Sequence, residues 1–226
     1  TGFYQGGHAE YICLSERDEG CLIASKPGNT SFEEAACVAT GAIEAYCFLK
    51  QAELKKGQKV MIIGAGGSFG TYAVQLAKYF GTEVTAVDIG VKEQMLRSLG
   101  ADIFFDFTKL DYTALDDRYD AVFDIVCVEK YSGIRHIFKE NAVYLAGNPK
   151  LNHLLRSSKK RKEGKPSVFP HSGDHTPDDL EFIRDMIEQN NLKVQIDTVF
   201  KLNDIIDAFQ LVLSGNKQGN IAVKCF

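Results

Sequence analysis

Apolar positions along this chain fall into short continuous runs that alternate with stretches of helical period, most regularly between residues 59 and 147. Val60-Met61-Ile62-Ile63 runs straight into Gly64-Ala65-Gly66-Gly67-Ser68-Phe69-Gly70. Beyond it Phe69, Tyr72, Ala73, Leu76, Ala77 and Phe80 recur on one helical face, and Gly81 ends the pattern. A strand from Lys59, a glycine turn and a helix are therefore predicted. Glu83–Asp88 predicts a second strand, Lys92–Leu99 a helix stopped by Gly100, and Ile103–Phe105 a third strand. Ala121–Val126 predicts a fourth strand, Ile134–Phe138 part of a helix, Ala142–Ala146 a fifth strand ending at Gly147, and Ser167–Pro170 a sixth. Strands alternating with helices imply a doubly wound α/β fold, a parallel sheet with helices on both faces.

The flanks follow a different rhythm. Ala9–Leu14 and Cys21–Ala24 are short strand-like runs separated by the charged turn 15–20, and two such strands cannot close a core by themselves. Ser31-Phe32-Glu33-Glu34 is a capping box that starts a helix, with helical pattern to about Leu54 and an interruption near Thr40-Gly41. Thr176-Pro177-Asp178-Asp179 begins another helix, with a capping hydroxyl, proline at the first helical position and acidic residues in the first turn. Strand Val194–Phe200, helix Asn203–Leu213 and strand Asn220–Cys225 close the chain.

Composition narrows the classes without naming a function. In 226 residues, 45% hydrophobic and 25% charged with a net charge of −4, nothing pulls globally toward nucleic acid or a membrane surface, and no apolar run approaches a membrane span. Cys13, Cys21, Cys37, Cys47, Cys127 and Cys225 are scattered, with no zinc spacing, and read as reduced thiols of a cytoplasmic protein. The basic run through Arg156, Lys159, Lys160, Arg161, Lys162 and Lys165 reads as a solvated loop. His171 and His175 stand at H-x-x-x-H spacing, but on a glycine-containing loop that spacing fixes no common face for a metal.

The candidate chemistry lies at the glycine turn. A pyrophosphate needs backbone N–H donors at close range and gains from a helix N-terminal dipole. Strict G-x-G-x-x-G is not met, but Gly64, Gly67 and Gly70 satisfy a looser G-x-x-G-x-x-G, with Ser68 and Phe69 inside it. Asp88 ends the second strand roughly 20 residues on, where a carboxylate can accept from ribose hydroxyls and repel a 2′-phosphate. NAD(H) is therefore expected over NADP(H), with Lys92 close enough to receive a phosphate.

Ser31-Phe32-Glu33-Glu34-Ala35-Ala36, Lys56-Gly57-Gln58-Lys59-Val60, the glycine turn, Ala73-Val74-Gln75-Leu76-Ala77-Lys78, Arg97-Ser98-Leu99-Gly100-Ala101-Asp102 and Tyr119-Asp120 together resemble the medium-chain dehydrogenase/reductases, in the zinc-independent quinone-oxidoreductase-like branch. The match continues through Asp179–Ile183 to the last strand. It implies a Rossmann domain over 41–197, with 1–40 and 198–226 belonging to a GroES-like catalytic domain whose first part this sequence does not represent. It places Ala146-Gly147 at the nicotinamide amide and Val126 at the nicotinamide ribose.

A zinc-ligand position of the family falls at Thr40, a poor ligand, so no catalytic zinc is expected. Glu44 stands where the family often has threonine beside the nicotinamide, which makes it a candidate for proton transfer or, as a helix former, a water-facing residue. The resemblance further implies a homodimer and hydride transfer to a small electron-poor substrate, a quinone or an α,β-unsaturated carbonyl. The alternatives are a dinucleotide-binding redox sensor without turnover, and an alcohol dehydrogenase whose zinc ligands lie upstream.

Overall fold

The computed structural model describes residue 11 and residues 22–158, 163–170 and 174–225. Its centre is a six-stranded parallel sheet. β1 (Lys59–Ile63) is followed by helix α3 (Ser68–Tyr79), β2 (Glu83–Asp88), α4 (Glu93–Ser98) and β3 (Ile103–Asp106). β4 (Tyr119–Asp124), α5 (Tyr131–Ile134), β5 (Phe138–Ala146), α6 (Leu151–Leu154), β6 (Ser167–Phe169) and α7 (Pro177–Glu188) complete it. Across the sheet the order is β3-β2-β1-β4-β5-β6. The order reverses between β1 and β4, so the turns after these two strands diverge and leave a crevice at their carboxyl ends.

The sheet is buried on both faces, as parallel sheets are. Val60 and Ile62 point to the side of α3, where Tyr72, Ala73, Leu76 and Ala77 pack with Leu96 of α4 and Ile183 and Ile187 of α7. Met61 and Ile63 point to the other side, against Tyr131, Ile134, Phe138 and Tyr144. The expected doubly wound plan holds.

Two helices precede β1. α1 (Phe32–Ala36) starts on the Ser31 capping box, in which Ser31 Oγ accepts the Glu34 amide and Glu34 returns to the Ser31 amide. α2 (Ala39–Ala52) follows after a break at Cys37–Val38. That break comes earlier than the sequence suggested: Thr40 and Gly41 lie inside α2. Gly41 is tolerated there because α2 crosses α3 closely, and a β-carbon on it would sit 3.1 Å from the Tyr72 ring and 3.3 Å from the Ser68 carbonyl. The Tyr72 hydroxyl, buried beneath this crossing, donates to the Cys37 carbonyl at 3.0 Å.

After the sheet come β7 (Ile196–Lys201), α8 (Ile205–Leu213) and β8 (Asn220–Lys224), with β7 and β8 paired in parallel as a separate two-stranded sheet. Of the early strands expected from sequence, the first falls outside the described residues except for Tyr11, and Leu22–Ala24 form no strand. β4 stops at Asp124, two residues short of expectation, and Phe138 opens β5 rather than closing a helix. Among the described residues no helix is long and apolar enough to cross a membrane, and Cys37, Cys47 and Cys127 are free thiols.

Candidate cofactor site at the glycine turn

The chain leaves β1 at Gly64 with φ +81°, a left-handed conformation that side chains disfavour. It re-enters helix at Ser68, with Gly67 as an N-cap that carries no side chain. First-turn amides of a helix have no helical acceptor, so the amides of 68–70 are left available to an anion. Gly70 is required by close approach: a β-carbon there would lie 2.3 Å from the Ala65 carbonyl oxygen and 2.5 Å from its Cα.

Gly67, Ser68 and Phe69 line a cleft of about 600 Å³ together with Thr40, Gly41 and Ile125. β8 supplies its far wall, from Asn220 to Val223. The cleft therefore lies between the large sheet and the C-terminal strand pair.

Asp88 is at the predicted place but not in the predicted state. Its carboxylate is 5% exposed and accepts three donors: the Gly66 amide at 2.7 Å, the Ile89 amide at 2.8 Å and the Lys92 ammonium at 2.9 Å. Lys92 is equally buried. The acid that was to greet a ribose thus already shapes the turn, and its charge is offset by Lys92.

The nicotinamide-side candidates also converge. Val126 is 43% exposed, and its Cγ1 lies 3.1 Å from where a Gly64 β-carbon would be. Gly147 donates its amide to the Asp124 carbonyl at 2.8 Å, while Ala146 is fully buried beside it in the register Asp124–Ala146. The turns after β1, β4 and β5 are thus tied together.

Sequence reasoning missed the group that ties them. Asp124 is fully buried and accepts the Cys127 amide at 2.7 Å and the Tyr144 hydroxyl at 2.9 Å. Burial pushes its pKa up, and those donors offset only part of that. Cys127, at φ +50°, completes the reversal and donates its thiol to the Asp124 carbonyl.

Glu44 is not among the residues lining the cleft. It lies on α2 facing His175, with Oε1 3.5 Å from Nε2, a tie between α2 and the segment leading into α7. His171 lies outside the described residues. Among the described residues no three His, Cys, Asp or Glu side chains are grouped to hold a metal ion.

The other omission comes from the C-terminus. Gly219 donates its amide to the Gly66 carbonyl at 2.9 Å, and Ser68 Oγ bonds the Gly219 carbonyl at 3.3 Å. Lys217 Nζ donates to the Gly219 carbonyl at 2.6 Å and to Ser68 Oγ at 3.0 Å. The segment 217–220 thus lies across the glycine turn.

A family model for zinc-binding dehydrogenases matches residues 99–223, just over half of the chain. The chain belongs to the medium-chain dehydrogenase/reductase family. It is 30% identical to a 2-methylene-furan-3-one reductase of Solanum lycopersicum, in an alignment covering 96% of this chain and 52% of that protein. It is 29% identical to a chloroplastic NADPH-dependent alkenal/one oxidoreductase of Arabidopsis thaliana, covering 96% and 53%. The chain spans about half the length of these curated relatives. Among solved structures, the quinone oxidoreductase of Coxiella burnetii superposes with a TM-score of 0.78 at 24% identity, over 90% of this chain and 64% of that one. This last likeness shows the medium-chain dehydrogenase/reductase fold.

Proposed function

We propose that this chain carries the cofactor-binding part of an NAD(P)H-dependent oxidoreductase that delivers hydride, without catalytic zinc, to an electron-poor substrate such as a quinone or an α,β-unsaturated carbonyl. The observation that carries this reading is the position of the glycine turn: at the reversal of strand order, with Gly67, Ser68 and Phe69 opening into the cleft. When bound, the reduced nicotinamide supplies the hydride. The first-turn amides of Ser68, Phe69 and Gly70 would hold the pyrophosphate, while Gly64 and Gly67, whose own amides donate to the Val87 and Gly64 carbonyls, shape the turn that presents them. Asp88 and Lys92 would lie at the adenosine ribose, and Val126 with the Ala146-Gly147 backbone at the nicotinamide end. The donor set fits the group, since the turn offers amides where no side chain intervenes. Residues 41–197 form the nucleotide-binding domain in this reading, and 1–40 and 198–226 belong to the catalytic domain.

The charge near the ribose bears on cofactor choice. With Asp88 paired to Lys92, its repulsion of a 2′-phosphate is cancelled locally, and one relative is named as NADPH-dependent. NADP(H) is therefore favoured here, in place of the NAD(H) preference that Asp88 alone suggested. Glu44 is proposed as an anchor for His175 and not as a proton donor. A homodimer through a sheet edge, at β3 or β6, and a cytoplasmic location belong to the same reading.

Titration of the full chain with NADH and NADPH, followed by oxidation assays with a quinone and an enal, tests it. Micromolar binding with turnover supports the proposal. Binding without turnover on either substrate favours a dinucleotide sensor, stoichiometric zinc in the purified protein favours an alcohol dehydrogenase, and absence of dinucleotide binding refutes the reading altogether.

A further inference from the structure

The segment across the glycine turn carries an electrostatic arrangement that the fold does not need. Lys217 places its ammonium 3.0 Å from Ser68 Oγ, the first residue of α3, where the helix presents the positive end of its dipole. Cations are unfavourable at that end. Burial lowers the Lys217 pKa, with the field of Lys92 adding to it against the opposing pull of Asp197 and Asp88. Asp88 already serves Lys92, Gly66 and Ile89, and Asp197 accepts the Gln218 amide at 2.7 Å. Lys92 is compensated by Asp88, whereas the Lys217 ammonium meets the helix N-terminus with no carboxylate among its hydrogen-bond partners in the described residues. A polyanion placed against 68–70 would turn the unfavourable meeting of the Lys217 ammonium and the helix N-terminus into a favourable one.

We propose that Lys217 is a direct ligand of the cofactor's pyrophosphate, supplied from the C-terminal segment and not from the nucleotide-binding domain. This rests on the dinucleotide reading above. In the structure the ammonium is held by two neutral oxygens, Gly219 O and Ser68 Oγ. Both are weaker partners for it than a phosphate oxygen, because charge-assisted hydrogen bonds are about twice as strong as neutral ones. Exchange of one of these oxygens for a phosphate oxygen requires only rotation of a lysine stem. The 2′-phosphate lies at the Lys92 end, so Lys217 contributes alike to NADH and NADPH.

The assignment is tested by calorimetric titration of the full chain, as wild type, Lys217→Gln and Lys217→Arg, with NADH, NADPH and ADP-ribose, and with adenosine 2′-monophosphate as the ligand lacking a pyrophosphate. Lys217→Gln is expected to raise Kd about tenfold for the three pyrophosphate compounds, the loss of one charge-assisted contact. Its effect on adenosine 2′-monophosphate should be less than about twofold, and Lys217→Arg should retain binding within about threefold on the same scale.

Equal affinities of wild type and Lys217→Gln overturn the proposal, as does a loss confined to NADPH. If wild type itself binds none of the dinucleotides, it is the underlying reading that falls. A second measurement needs no variant: acetylation of Lys217 in the wild-type chain, followed by mass spectrometry, should slow at least fivefold in saturating ADP-ribose. An unchanged rate in a chain that demonstrably binds ADP-ribose also overturns it.

Discussion

The Asp88 carboxylate accepts the Gly66 amide at 2.7 Å, joining the end of β2 to the turn that follows β1. The bond fixes the turn from beneath and uses a donor that would otherwise face the crevice. Lys92, on the same carboxylate and as deeply buried, depends on Asp88 for its only charge compensation within hydrogen-bond reach among the described residues. Asp88→Ala should therefore destabilise the chain by about 3–5 kcal/mol, the cost of leaving a buried charge uncompensated. The double variant Asp88→Ala/Lys92→Met should recover most of the loss. Urea denaturation of the three proteins checks both statements.

Gly70 stands where no other residue fits. Its neighbour in the turn is backbone, the Ala65 carbonyl, which cannot swing away as a side chain could. Gly70→Ala is expected to cost about 3 kcal/mol, at the upper end of overpacking penalties, and to lower the thermal midpoint by several degrees. A melting curve unchanged within a degree would show that the turn relaxes freely.

Asp179 links pH to stability. Its carboxylate is nearly buried at the start of α7, accepts the Thr176 amide and hydroxyl, and lies 2.6 Å from Lys50 Nζ. Burial raises its pKa, but Lys50 and Thr176 outweigh that and leave it lowered. A lowered carboxyl contributes stability that is fully present above its unfolded value and is lost as pH falls through the folded one. Asp179→Asn should be less stable than wild type by about 1–2 kcal/mol at pH 7, most of it from the cap because Lys50 is half exposed. The gap should begin to narrow as the pH falls below about 4 and close only below the lowered folded value. Denaturation curves across pH 2–7 measure it.

Glu44 and His175 make a tie between α2 and the segment before α7, each about one-quarter exposed. Glu44→Gln should change stability by less than about 0.5 kcal/mol and leave the cofactor Kd within twofold. A large fall in kcat with altered pH dependence would instead give Glu44 a part in proton transfer.

The strand–turn–helix from Lys59 to Tyr79 was legible because two periodicities meet at a run of glycines, and the alternating rhythm after it fixed a parallel sheet. The position of Asp88 could be read in the same way. Its state could not, because the pairing with Gly66 depends on how β2 lies against β1. Ile125 and Val126 looked like more of β4, since apolar runs do not reveal where a buried carboxylate turns the chain. Asp124, by accepting the Cys127 amide, ends the strand and leaves Val126 at the surface. Lys217 and Gly219 were invisible for a simpler reason: nothing local in Asn216–Asn220 announces that it will lie on a turn near Ser68.

That last contact gives the Gly66 backbone two partners of very different origin. Its N–H is satisfied by Asp88, 22 residues on, while its carbonyl waits for Gly219, which lies just before β8. During synthesis the first bond can form as soon as β2 has emerged, but the second must wait until the segment just before β8 has been made. The crevice is thus completed only after the sheet, and a chain released between β6 and β8 would hold a folded sheet with an unfinished mouth.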